Sequence, residues 1–393
     1  MTDIVILKDS KSNPFYPKTH TSAVAGLDNR LSEYDNRMIN VELSNLVVNP
    51  LKWKGGNASA FGRKQYADIY HDASKLNLNT LTIPLQIAAA DASDSNPVIT
   101  DYSYNEAWEA IPKAKRDGYR VILEPYPFIA NGTIAETDWM PSDIEQWFSV
   151  WGQHLKNLAV TCEENGVDGL YIASNLVHME SFTDKWEALI SEVRTVYTGK
   201  ILYRTNYWIT ASWAPDNVEA YKNKLNNALF GLVDVIAIAA YFELTDNKSP
   251  SVDELIDAIY SVPLYGRGQN IFDEIKAFHD KWDKPIFFGE LGIPPYSNSP
   301  EQPHNAFGDL GEYNESIQSN WFEAWVRAFQ TQEWWLGYSI YTIADEKSVY
   351  NVMGRKAETV IRGQSLGGQQ YSMNEVINQL NELKKQLDEL KNK

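Results

Sequence analysis

The chain of 393 residues has one cysteine, Cys162, so no intrachain disulfide can form, and any extracellular working site must be reached without a disulfide framework. Basic side chains are also scarce. The 35 Lys and Arg against 52 Asp and Glu leave a formal net charge of -17, which repels phosphate backbones and anionic lipid and excludes nucleic acid as a natural partner. No apolar run approaches the roughly 18 residues of a membrane span, so membrane insertion is not expected. Residues 1–20 lack a basic start followed by a long apolar core, so the expectation is a product made in the cytoplasm without a signal peptide. No Gly-x-Gly-x-x-Gly follows the first strand, and no second His or Cys stands at ligand spacing, so neither an organic cofactor nor a metal is implied.

What is present is a globular composition, 44% hydrophobic and 22% charged, with 13 Trp and 22 Tyr. Flat rings stack on sugar faces, but large cores consume them as well. The chain divides by pattern into residues 1–37, 38–363, a flexible linker at 364–372 (QSLGGQQ within it), and 373–393. In the last piece Met373, Val376, Leu380, Leu383, Leu387 and Leu390 step by three and four, the a/d seam of a coiled-coil helix that either zips with copies of itself into a homo-oligomer, the favoured expectation, or docks on its own barrel. Leu at both a and d leaves dimer, trimer and tetramer open, and the trimer is favoured by analogy with fibre symmetry.

Residues 38–363 alternate short β-branched runs with amphipathic stretches, the sequence form of repeated βα units. Eight runs are expected as strands: Ile39–Val47, Thr80–Leu85, Arg120–Tyr126, Asp168–Ala173, Lys200–Thr205, Val233–Tyr241, Pro285–Glu290 and Leu336–Tyr341. Helices are expected over Asn105–Arg116, Ile144–Glu164, Asp184–Tyr197, Phe272–Trp282 and Ile317–Gln330. The fold class is therefore α/β, a (β/α)8 TIM barrel with a short N-terminal attachment segment and a C-terminal coiled-coil helix.

Active sites of such barrels lie at the C-terminal ends of the strands. That rule selects Trp53, Glu124, Tyr126, Asn175, His178, Arg204, Asn206, Trp208, Tyr241, Glu243, Glu290 and Tyr341, with Tyr296 in the loop that follows Glu290. Aromatics and carboxylates recur together there, as a carbohydrate cleft requires.

The segments DVIAIAAYFELTD, KPIFFGELGIPPYSNSPEQPHN, WWLGYSIYTI and NVMGRKAETVI resemble, in that order, the sixth strand, seventh strand, eighth strand and closing helix of β-mannanase-type glycoside hydrolase barrels. The resemblance implies that Glu290 is the nucleophile of a retaining glycosidase. Such an enzyme also needs a second carboxyl about 5 Å away to protonate the leaving oxygen. The family's acid/base Glu ends the fourth strand, and GLYIASNLVHM places Asn175 there, an amide that cannot deliver a proton. Glu180 and Glu124 are the candidate replacements, and Arg204 is a natural partner for Glu290.

A second resemblance covers the N-terminus: ILKDSKSNPFYPKTHTSAVAGLDNR looks like the opening of tail, baseplate or fibre proteins from phages of Gram-positive bacteria. It implies a virion tail protein that attaches to other tail or baseplate proteins through residues 1–37. The leading expectation is a receptor-binding-type protein whose barrel binds host cell-surface or cell-wall polysaccharide with impaired catalysis. An active retaining endo-glycosidase and a purely structural tail component are the alternatives.

Overall fold

The computed structural model describes residues 52–62, 65–210, 215–260 and 269–366. The expected strand at 39–47, the N-terminal attachment segment and the C-terminal heptad helix lie outside the described residues. Strands are β1 (Trp53–Ala58), β2 (Thr80–Ala89), β3 (Val98–Ile99), β4 (Arg120–Ile129), β5 (Gly169–Ser174), β6 (Lys200–Asn206), β7 (Val235–Ala239), β8 (Ile286–Leu291) and β9 (Trp335–Ile343). Helices are α1 (Tyr66–Lys75), α2 (Asp101–Arg116), α3 (Ile144–Glu164), α4 (Thr183–Arg194), α5 (Pro215–Leu225), α6 (Leu229–Leu232), α7 (Val252–Tyr260), α8 (Ile271–Trp282), α9 (Glu315–Phe329) and α10 (Lys356–Gly363).

Eight parallel strands run in the order β1, β2, β4, β5, β6, β7, β8, β9, and β9 pairs back to β1, so the sheet closes into a TIM barrel with helices around it. β3 is a two-residue antiparallel addition to β2. The barrel's first strand is thus Trp53–Ala58, and Trp53 begins a strand rather than following one.

Strands fully buried on both faces read as near-continuous apolar runs, and LYIA of β5 and VIAIA of β7 show that pattern. Helices start where a polar side chain satisfies an orphan N–H: Asp143 accepts from Gln146 N at α3, Asn270 from Asp273 N at α8, and Asn314 from Ser316 N at α9. The inward stripe of α3 buries Trp147, Trp151, Leu155, Leu158 and Cys162. Cys162 is wholly enclosed, where burial pushes its thiol up out of the nucleophilic range. At the N-terminal end of the barrel, Asp168 accepts from Lys115 Nζ at 2.6 Å and from Val121 N at 2.7 Å, tying β5 to α2 and β4 on the face away from the site. Among the described residues no helix is long and apolar enough to cross a membrane.

Candidate active site

Four strands place polar side chains at one level inside the C-terminal half of the barrel. Arg204 on β6 forms an ion pair through Nη2 with Glu290 Oε1 on β8 at 2.6 Å, and donates from the same nitrogen to Ser174 Oγ at the end of β5 at 2.5 Å and to Glu124 Oε1 on β4. Its guanidinium carbon lies 5.2 Å from the centre of the Tyr171 ring. Burial works against the charge of Arg204, but Glu124 and Glu290 beside it prevail and hold it protonated well above its ordinary value. Burial raises Glu124, the charge of Glu290 adds to that, and Arg204 opposes it. This close assembly needs Gly289: a methyl group there would stand 2.6 Å from Tyr171 Oη and 2.9 Å from Arg204 Cδ.

Above this floor lies an aromatic collar. The Tyr241 hydroxyl, just past β7, is raised far above the usual phenol range by burial and by the charge of Glu290. The Tyr241 ring meets Tyr341 at 6.4 Å and Tyr350 at 6.1 Å between centres, both edge to face. Tyr207 and His304 share a hydrogen bond of 3.2 Å. On the β4 side Glu136 sits on the 3-10 turn Glu136–Asp138. Burial first, and the negative charge of Glu290 second, push Glu136 up to about 7.

Of the residues expected from the sequence, Glu290, Glu124, Arg204, Tyr126, Tyr241 and Tyr341 share this centre, and Asn206 ends β6 half-buried at its edge. Asn175 is buried immediately after β5, with φ of 55°, a left-handed conformation that Asn adopts more readily than most side chains. Its N–H donates to Arg204 O at 2.8 Å, and its side-chain Oδ1 is buried without a hydrogen-bond partner.

Others are placed differently. Trp53 lies at the N-terminal end of β1, 3% exposed, packed 5.1 Å from Phe287 and capped by Arg120, so it cannot face sugar at the opposite rim. Trp208 is 6% exposed; its indole donates to Glu274 Oε2 at 2.8 Å and its ring packs on Phe242 and Phe278, which makes it a wall of the helix layer. His178 is exposed on the loop after β5, Glu243 is half-buried beyond β7, and Tyr296 pairs with Tyr313 at 5.5 Å in the loop after β8. Glu180 is spent on Lys224 at 2.6 Å and Thr205 at 2.6 Å, and Glu124 on Arg204, so neither is free to protonate a leaving group.

Sequence reading missed Glu136, Tyr350 and two exposed rim aromatics. Phe61, 41% exposed after β1, lies 6.1 Å from Tyr126 and 6.0 Å from Phe128, and Phe307, 87% exposed, projects from the loop after β8. All four lie on loops beyond strand ends, where periodicity is silent. Among the described residues no group of His, Cys, Asp and Glu is arranged to hold a metal.

The family model of Glycoside Hydrolase Family 113 matches residues 78–358. A solved structure of a β-1,4-mannanase of that family is 22% identical, covers 79% of this chain and 98% of its own, and superposes with a TM-score of 0.63. A family 113 β-mannanase from Alicyclobacillus acidocaldarius is 18% identical over 80% of this chain and 97% of its own, with a TM-score of 0.62. A β-D-glucuronidase from Dictyoglomus thermophilum is 14% identical over 80% of this chain and 50% of its own, at a TM-score of 0.51. At these identities the structures share the barrel fold. Among curated proteins none matches the sequence.

Proposed function

The chain belongs to Glycoside Hydrolase Family 113, and from that membership we propose that its barrel engages a β-linked polysaccharide of the host cell surface or cell wall at the C-terminal rim, with Glu290 facing the anomeric carbon. The observation that carries this is the ion pair of Glu290: its Oε1 lies 2.6 Å from Arg204 Nη2, which holds the carboxylate in place beneath the collar of Tyr241, Tyr341 and Tyr350.

Asn175 occupies the acid's place, so the family's own route for protonating the leaving oxygen is closed and binding dominates unless a proton comes from elsewhere. Phe61 and Phe307, exposed beyond the ends of β1 and β8, can lie against a sugar face, and they take the part expected of Trp53 and Trp208. The wording of residues 1–37 and the heptads of 373–393 support placement in a virion tail. There the N-terminal segment meets other tail or baseplate proteins and the C-terminal helix joins copies of the chain, as a trimer.

The test incubates purified Gram-positive wall glycans and β-1,4-mannan with the protein and measures retention in affinity electrophoresis alongside new reducing ends. Retention that survives Glu290→Gln while any cleavage disappears supports the reading. No retention of any glycan rejects it. Light scattering of the full chain and of Leu383→Asp tests the trimer, which that substitution should dissociate.

A further inference from the structure

We propose that the loop after β8 is a specificity arm in which His304, docked on Tyr207, contacts an uncharged sugar unit next in the polysaccharide to the unit over Glu290; this rests on the reading of the rim around Glu290 as a glycan cleft.

Direct contacts lead from Glu290 to this arm. Asn206 on β6, Ala239 on β7 and Glu290 on β8 are register partners, so they stand at one level of the barrel, and Ala240 N donates to Glu290 O at 2.8 Å. Tyr207 follows Asn206 and is therefore two strand spacings, about 10 Å, around the rim from Glu290. Ala239, Tyr241 and Tyr350 form one buried cluster, and Tyr207, Ala306 and Tyr341 pack against it. The arm and the collar around Glu290 are thus continuous.

The arm is held at its base and at its reach. Residues 292–314 join β8 to α9. At the base Tyr296 bridges Tyr313, Ser297 N donates to Glu312 O at 2.8 Å, and Asn298 N donates to Leu310 O at 3.0 Å. Farther out Leu244 N donates to Pro300 O at 3.0 Å, the Tyr350 hydroxyl donates to Pro303 O at 3.1 Å, and Lys248 pairs with Glu301 at 3.1 Å. These bonds bring His304 to the end of β6, where its Nδ1 lies 3.2 Å from the Tyr207 hydroxyl and the two ring centres are 5.5 Å apart, inclined by 31°. Asn305 Oδ1 accepts from Phe307 N at 3.0 Å, a turn that sets the exposed Phe307 ring on the same tip.

This arrangement suits a sugar by its chemistry. The paired rings offer an apolar face, and the exposed imidazole adds a hydrogen-bonding edge. With Nδ1 engaged by Tyr207, Nε2 is the nitrogen that the ring presents to a ligand hydroxyl. Residues 292–314 include Glu301, Asp309 and Glu312 and neither Lys nor Arg, so the arm repels phosphate and carboxylate and selects an uncharged unit. The separation of about 10 Å exceeds the span of one sugar ring, so the unit that His304 reads is a neighbour of the one over Glu290.

Calorimetric affinities of the full chain for β-1,4-mannotriose and β-1,4-mannohexaose test this, with retention of wall teichoic acid and of neutral wall glycans measured in parallel. His304→Ala should weaken mannohexaose about tenfold and leave mannotriose within about twofold. Tyr207→Phe keeps the ring but releases His304, and should weaken mannohexaose about fivefold, the worth of one hydrogen bond. In proton NMR the His304 ring signals, identified by their loss in His304→Ala, should move on addition of mannohexaose and stay in place with mannotriose. Teichoic acid should not be retained. Equal mannohexaose affinities of wild type and His304→Ala overturn the proposal, as does an equal loss for both lengths, which would mark a role in shaping the rim without touching a further sugar. Teichoic acid retention that His304→Ala removes overturns the uncharged class. Where wild type retains a neutral wall glycan and no mannan oligosaccharide, that retention must fall about tenfold in His304→Ala or the proposal fails. Wild-type protein that binds no glycan sinks the proposed function and this inference with it, an outcome distinct from wild type that binds while the variant loses nothing.

Discussion

Arg204 Nη2 lies 2.6 Å from Glu290 Oε1 in an ion pair that joins β6 to β8 across the barrel interior, at a point where neither side chain is more than 8% exposed. The same guanidinium also serves Glu124 and Ser174, so one cation organises the floor of the site. Removing one partner of a buried pair leaves the other charge uncompensated, which costs more than the pair itself contributes. Arg204→Ala should therefore destabilise the fold by about 3–5 kcal/mol in urea unfolding. A loss below about 1 kcal/mol would mean that solvent reaches this level of the barrel.

Gly289 gives a second, local expectation. Gly289→Ala sets a methyl 2.6 Å from Tyr171 Oη and 2.9 Å from Arg204 Cδ, so the guanidinium must shift away from Glu290. A cost of about 1–3 kcal/mol in thermal or urea unfolding is expected, as for other overpacked interiors, together with loss of glycan retention. Unchanged stability and retention would show that the floor is looser than described.

The aromatics divide into two classes. Phe61→Ala and Phe307→Ala should weaken glycan retention with little change in melting temperature, because these rings are 41% and 87% exposed. Trp53→Ala and Trp208→Ala should cost about 3–5 kcal/mol of stability, because those rings are buried in the core. Calorimetry and affinity electrophoresis on the four variants separate the two roles, and the reverse pattern would reject the assignment.

Glu136 predicts a pH dependence of stability. Its carboxyl is raised from the ordinary 4.5 to about 7, so between those values the folded state binds more protons than the unfolded state, and stability falls as pH rises. Burial is the main cause, and the charges of Glu290 and Arg204 act on it in opposite senses. Glu136→Gln should remove this slope and gain on the order of 1–3 kcal/mol relative to wild type at pH 8 against pH 5. Parallel stability curves for the two proteins over that range would contradict it.

The barrel was legible because its strands are short β-branched runs and its helices amphipathic, and seven of the eight expected strands match the observed ones to within a few residues at most ends. The first did not, because LKWKGGNA mixes Lys, Gly and Trp, and its burial comes from neighbours: a methyl on Gly56 would stand 2.8 Å from the side chains of Ile343 and Leu78. Placing that strand too early made Trp53 a rim residue when it is a core residue at the far end. Trp208 was misread for a related reason: its place two residues past β6 suggested the cleft, but its ring turns outward to meet α8. Glu290, Arg204 and Tyr241 were found because strand ends are marked in the sequence. Glu136 was not found, because its position depends on three left-handed residues and a buried Trp139 that only tertiary structure brings into register.

The claim that most needs testing is that sugar is held at the C-terminal rim around Glu290. Wild-type protein and Tyr341→Ala should be compared on an array of β-linked polysaccharides and Gram-positive wall polymers. The account predicts at least one bound glycan and a loss of tenfold or more in Tyr341→Ala, on the order of 1.4 kcal/mol. An empty array, or binding that Tyr341→Ala leaves intact, would contradict it.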